Sequence, residues 1–201
     1  MHISRSGLYV VTASEDQVVR LSHSSDLREV CVLRGHTAAV RAVVMLHDED
    51  TIVSGALDYS LRVWSRTSGT CVRVLREHEH AVEALSLHPS GDILASGSHD
   101  RTVIIWSTTL FVPLRTVRCD NRIGCLAFSS VDGELLVGVS GVGCVAVNHA
   151  TGASLGVVIP RGKWSYGLAC LQGEASLVRH RRALASLPSL CFRYHRQCAF
   201  C

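Results

Sequence analysis

The chain has 201 residues, 47% apolar and 18% charged, a composition that excludes a disordered chain and suffices for one good core or two small ones. Its net charge of +3 is unevenly placed: of 20 basic and 17 acidic side chains, five arginines and Glu174 fall in residues 174–201, leaving 15 and 16 for residues 1–173. A nearly neutral body lacks the electrostatic footprint of a nucleic-acid binder, and 5% aromatic residues beside abundant valine and leucine lean toward strands.

The chain opens on "MHIS" (1–4), which reads as the close of a strand, followed by "VVTASEDQVVRL" (10–21). Next come "VRAVVML" (40–46), "TIVSGA" (51–56), "LRVWS" (61–65) and "CVRVLR" (71–76). Each is short and rich in β-branched types, and the turns between them are "HDED", "LDYS" and "RTSG". "SGALDYSLRVW" (54–64) then returns as "SGSHDRTVIIW" (96–106), an offset of 42 that also carries "LRGHTAAV" (33–40) onto "LREHEHAV" (75–82). One offset backwards, Thr12, Asp16 and Ser22 take the places of Ser54, Asp58 and Trp64. One offset forwards, Gly138, Val142 and Asn148 stand for Ser96, Asp100 and Trp106, Asp120 stands for His78, and a residue is lost near 150. Residues 135–160 carry no formal charge, but five glycines with Asn148 and His149 read as this decayed unit and not as a membrane span. "WSYGLACLQG" (164–173) looks like the opening strand of a fifth unit.

Four short antiparallel strands in each 42-residue unit make an all-β chain of propeller blades. The Gly-His pair at 35–36 and the tryptophans that end the third strands, Trp64 and Trp106, resemble WD-repeat β-propellers, including G-protein β subunits. The resemblance covers residues 1–173 and implies blades at about 1–32, 33–75, 76–117 and 118–158, the start of a fifth at 159–173, and a basic, cysteine-bearing tail at 174–201. Both tryptophans are followed by serine, Ser65 and Ser107, where the name-giving pair has aspartate. Rings of this kind close with about seven blades, so the chain reads as a fragment of a fuller ring, and alone it is expected to be unstable or oligomeric.

The resemblance assigns His36, Ser54, Asp58 and Trp64 to one hydrogen-bonded tetrad and His78, Ser96, Asp100 and Trp106 to the next. A Ser/His/Asp set also invites a hydrolase reading, but a set that recurs once per unit beside a tryptophan reads as structure. The fourth unit, having lost its tetrad, is expected to be looser. The run "EHEH" (77–80) holds ligand types for a metal, yet the repeat commits His78 to a tetrad and leaves Glu77, Glu79 and His80 for the surface. In the tail, Cys191, His195, Cys198 and Cys201 are zinc-ligand types, tightly spaced and without a second half-site; a thiol-bearing end is the first reading and zinc the alternative. Residues 176–190 suit a short basic amphipathic helix ended by Pro188. "GVSGVG" (138–143) lacks the lysine and hydroxyl residue of a phosphate loop.

What the resemblance implies is a non-enzymatic scaffold, a subunit or adaptor that binds other proteins through loops at one end of the ring. Those loops carry Arg34, Tyr59, Glu77, Glu79, His80, His99, Arg101, Arg122 and Arg161. The alternatives are a ubiquitin-ligase substrate receptor or a G-protein-β-like subunit. Ligase receptors that dock on the propeller adaptor carry Trp-Asp-x-Arg, where this chain has "WSRT" and "WSTT". No cofactor, metal, small-molecule substrate, membrane or nucleic acid is expected. Nine cysteines, an odd number at irregular spacing, and the want of a signal-peptide core in "MHISRSGLYV" point to free thiols in the cytoplasm or the nucleus.

Overall fold

The computed structural model describes residues 1–129, 134–160, 168–171 and 174–177, and every regular element among them is a strand. The first sheet is β1 (His2–Ile3), β2 (Tyr9–Ala13), β3 (Val18–His23) and β4 (Glu29–Arg34). The second is β5 (Val40–Met45), β6 (Thr51–Ala56), β7 (Leu61–Ser65) and β8 (Thr70–Leu75). The third is β9 (Val82–Leu87), β10 (Ile93–Ser98), β11 (Thr102–Ser107) and β12 (Pro113–Arg118). The fourth is β13 (Ile123–Phe128), β14 (Glu134–Val139), β15 (Gly143–Asn148) and β16 (Ser154–Pro160), and a hairpin of β17 (Leu168–Leu171) and β18 (Glu174–Leu177) follows. All pairs are antiparallel neighbours in sequence, so each sheet is a simple meander. The first strands β1, β5, β9, β13 and β17 lie side by side in succession, which is the inner-strand order of an incomplete propeller.

The turns follow from short polar side chains. Asp48 accepts the backbone N–H groups of Asp50 and Thr51 and the Thr51 hydroxyl, closing the β5–β6 turn. Asp50 takes the N–H and hydroxyl of Thr67 and the Ser65 hydroxyl, which ties the β7–β8 turn to it.

The core lies between sheets, not within one. Along β5, Val43 and Met45 join Val11, Val19, Leu21 and Leu33 of the first sheet, while Val44 points the other way to Val82, Leu94 and Ile104 of the third. Because alternate residues of a strand serve opposite faces and both faces are covered, the strands are apolar almost without interruption. The fourth strands β8 and β12, at the circumference, are mostly exposed.

Two glycines set how close the sheets come. A Cβ on Gly55 would lie 2.6 Å from Val82 Cγ1, and one on Gly97 would lie 2.6 Å from Ile123 Cγ2. Each glycine faces the inner strand of the next sheet, and its missing side chain is the room that strand occupies.

The fourth sheet corrects the repeat register. Gly97 pairs with Val103 and Leu94 with Trp106; the matching pairs in the fourth sheet are Gly138 with Cys144 and Leu135 with Val147. Ile123 follows Val82 by 41 positions, not 42. The lost residue falls between β12 and β13 and not near 150: Val117, paired with Val103, still follows Leu75, paired with Leu61, by 42 positions. Val137, Gly141 and Val147 therefore stand where Ser96, Asp100 and Trp106 stand, in place of Gly138, Val142 and Asn148. Cys119, and not Asp120, takes the position of His78, four residues ahead of the inner strand.

The fifth-unit hairpin runs through Leu177, so Ser176 and Leu177 are strand where a helix over 176–190 was expected; the rest of that segment, with Cys191, His195, Cys198 and Cys201, lies outside the described residues. No helix among the described residues is long and apolar enough to cross a membrane.

Gly55→Ala should lower stability by about 1–3 kcal/mol through overpacking against Val82. In that background Val82→Ala should cost less than it does alone, a favourable coupling that urea unfolding of the two single variants and the double variant would measure.

Candidate functional site

The second and third sheets each hold a chain of four polar side chains beneath the linker that enters the sheet. Trp64 Nε1–H donates to Ser54 Oγ at 2.8 Å, Ser54 Oγ meets His36 Nε2 at 2.7 Å, and His36 Nδ1 meets Asp58 Oδ2 at 2.8 Å. In the third sheet Trp106 reaches Ser96 at 2.8 Å, Ser96 reaches His78 at 2.7 Å, and His78 reaches Asp100 at 2.8 Å. The donors and acceptors settle the protons. The indole can only donate and an ionised carboxylate can only accept, so Nδ1–H donates to Asp and the serine O–H donates to Nε2. Ser54 and Ser96 are 0% exposed, and the side chains of His36 and His78 are equally shielded.

Burial pushes the His36 and His78 imidazoles below the ordinary histidine value, against the opposing pull of Asp58 and Asp100. Burial also pushes Asp58 up, but hydrogen bonds from Ser60, His36 and the Thr37 N–H outweigh it and hold the carboxyl at about 2. Burial works against Asp100 in the same way, and Thr102, His78 and the Glu79 N–H hold it below the usual carboxylate range. The resting state is a neutral imidazole against an ionised carboxylate. Ser60 and Thr102 are the members that sequence reading missed: each donates its hydroxyl and its N–H to the aspartate two residues earlier. Their signal was a hydroxyl residue at the same offset of 42.

The loops at this end hold the remaining predicted residues. Arg34, Glu77, Glu79, His80, Arg101 and Arg122 are exposed, Tyr59 is 46% exposed, and His99 is half-buried. Arg161 lies outside the described residues. The structure gathers three of them into a row: the rings of Tyr59 and His80 are 5.1 Å apart, and those of His80 and His99 5.7 Å apart. Burial lowers the His99 pKa, Glu83 opposes this, and the charges of Arg122, His80 and Arg41 add to it. Glu83 lies 3.5 Å from His99, and Arg41 pairs with Glu15 at 3.1 Å. Arg41, Glu83 and Glu15 were not picked out in the sequence, where nothing marks them; Arg41 and Glu83 belong to this end because the inner strands β5 and β9 start here, and Glu15 because it lies in the β2–β3 turn.

"EHEH" separates as a strand entry does: His78 faces the tetrad, while Glu77, Glu79 and His80 stay at the surface. Among the described residues no group of three or more His, Cys, Asp or Glu side chains is placed to hold a metal ion. Gly35 and its counterpart Glu77 differ for a local reason. A Cβ at Gly35 would lie 2.9 Å from Arg62 Nη1 and 3.3 Å from Trp64, whereas Ile104, one offset on from Arg62, has no guanidinium to place there.

Residues 27–65 and 69–107 match the family model of the WD domain, G-beta repeat. Residues 27–107 are two WD repeats. Each matched stretch ends just past the tryptophan of a tetrad. The chain is similar to F-box and WD repeat domain containing protein 10B of Homo sapiens, 32% identical over 72 residues, which is 35% of this chain and 10% of that protein. It is also similar to the ribosome biogenesis protein WDR12 homolog of Brugia malayi, 40% identical over 62 residues, or 28% of this chain and 14% of that protein. A third relative is Protein HIRA of Oryza sativa subsp. japonica, 34% identical over 82 residues, or 32% of this chain and 8% of that protein. The WD-repeat chain thus spans at most about a seventh of the length of these curated relatives.

His78→Ala leaves the Ser96 and Asp100 groups without their buried partner and should cost about 1–3 kcal/mol, whereas His80→Ala, at the surface, should stay within about 0.5 kcal/mol; urea midpoints of the two variants check this. Acid should unfold the WD repeats. The tetrad histidines are depressed below 6.5, so the unfolded chain binds more protons, and stability present above that value falls as pH drops below it; the aspartates continue the loss as pH falls toward about 2. Urea midpoints between pH 7.5 and pH 5 should decline in the parent and decline less in a His36→Gln/His78→Gln double variant.

Proposed function

We propose that this chain is a non-enzymatic protein-interaction module, a subunit or adaptor that presents the tetrad-bearing end of its WD repeats to other proteins. The observation that carries the reading is where the reactive groups sit. Ser54 Oγ already takes the Trp64 N–H and meets His36 Nε2, and it is sealed from solvent, so no substrate carbonyl can reach it. The same holds for Ser96. A nucleophile needs access as well as a base. The loops above are of the opposite kind: exposed, with arginine, tyrosine and histidine side chains, types that concentrate binding energy at interfaces. Arg34, Tyr59, Glu77, Glu79, His80, His99, Arg101, Arg122 and Arg161 are the proposed contacts.

WD-repeat proteins in general serve as interaction scaffolds, and the similarity to proteins named for F-box and WD repeats favours one narrower reading, a ubiquitin-ligase substrate receptor. "WSRT" and "WSTT", which lack the Trp-Asp-x-Arg pattern, weigh against it. A G-protein-β-like signalling subunit is the other narrower reading. The proposed compartment is the cytoplasm or nucleus, in keeping with free thiols at Cys31, Cys71, Cys119 and Cys144.

A panel of ester, amide and phosphoester substrates should show no turnover above the buffer blank with the 201-residue chain. Turnover that disappears in His36→Gln or His78→Gln, with each variant still folded by circular dichroism, would replace the scaffold reading with a hydrolase.

A further inference from the structure

We infer that the row Tyr59–His80–His99 is a docking rail for an extended peptide that lays an aromatic or proline ring on Tyr59 and His80 and turns a carboxylate toward Arg122. The inference rests on the scaffold reading and makes it specific.

The first support is the layout. Tyr59 comes from the β6–β7 turn, His80 from the β8–β9 linker, His99 from the β10–β11 turn and Arg122 from the β12–β13 linker. The row therefore crosses from the second sheet over the third to the edge of the fourth. Ring centroids 5.1 and 5.7 Å apart, tilted by 31° and 44°, set three rings in succession, and the first two, Tyr59 and His80, are exposed. Extended chain advances about 3.3 Å per residue, so three to four residues reach from Tyr59 to His99.

The second support is the backbone under Tyr59 and Arg101. These residues, one offset of 42 apart, have φ of +68° and +70°, and Gln17, one offset earlier, has +71°. The left-handed region favours glycine, and bulky side chains enter it at a cost. The fold needs only the conformation, which glycine would supply more easily. The large side chains held there, one of them opening the ring row, serve something other than the turn.

The third support is charge. Arg41 is engaged by Glu15, and Glu83 lies beside His99. Arg122 makes no ion pair among the described residues, although its charge is felt at the His99 ring. At His80, Nδ1 accepts the Ala81 N–H at 2.8 Å, so the neutral ring carries its proton on Nε2 and offers a donor there. Stacking surfaces, a ring N–H and, from the β12–β13 linker, a guanidinium without an ion pair match a peptide with a ring followed by an acid.

The test is a phage-displayed library of random 12-residue peptides panned against the full chain, with the enriched peptides remade and their affinity read by fluorescence anisotropy. The expected result is a shared ring-then-acid pattern. Affinity should fall at least tenfold in Tyr59→Gly and in Arg122→Glu, while Tyr59→Gly unfolds at no lower urea concentration than the parent. An Asp-to-Lys change in the peptide should restore binding to Arg122→Glu. Peptides without that pattern, or insensitive to both variants, would overturn the rail; if their binding fell instead with Arg34→Glu or Arg101→Glu, the scaffold reading would stand without it. Peptides that bind undiminished in all four variants would overturn both, and so would a library that yields none.

Discussion

Everything in this chain hangs on one packing constraint. A sheet in a propeller has two apolar faces, and it can cover them only with the sheets before and after it. The inner strands must therefore come close, and Gly55 and Gly97 set how close, because Val82 and Ile123 occupy the space where their side chains would be. This explains why Val43 and Val44, adjacent in one strand, belong to different cores. It also explains why the second strands β6, β10 and β14 have no exposed face.

The tetrads are the polar exception within that packing, complete in the second and third sheets and wholly absent from the fourth. A buried donor without its acceptor costs more than the completed bond contributes. The second and third sheets have all four members and add the Ser60 or Thr102 hydroxyl to the aspartate. In the fourth sheet all four places change together, to Cys119, Val137, Gly141 and Val147. Cys119 and Val142 pack against the core there, and Val137 and Val147 are buried in it. Burial raises the Cys119 thiol to about 11, as suits a side chain that serves as packing and not as a nucleophile. No half-network remains to leave a buried polar atom unpaired at those positions.

Above the tetrads the same backbone carries different side chains. Gln17, Tyr59 and Arg101 share one turn geometry, and the residues that cover the entry to each sheet, Gly35 and Glu77, differ because Arg62 and Ile104 differ beneath them. The repeat thus holds the frame constant while the loops vary, which is how a structural periodicity supports a surface with its own chemistry.

Much of this was legible in the residues alone. The offset of 42 marks the units and their repeated residues, because a repeating backbone needs the same residue types at the same places, and the resemblance to WD-repeat propellers implies both sets of tetrad partners. The offset also separated His78 from Glu77, Glu79 and His80. Only the tertiary structure decided the rest. The fourth sheet is displaced by one residue because its linker is shorter, and decayed apolar residues fit either alignment until hydrogen-bonded pairing chooses between them. The row of Tyr59, His80 and His99 joins three loops, and Glu83 comes beside it from an inner strand. Sequence spacing records what each sheet needs for itself, whereas which side chains meet across sheets depends on how closely the sheets pack.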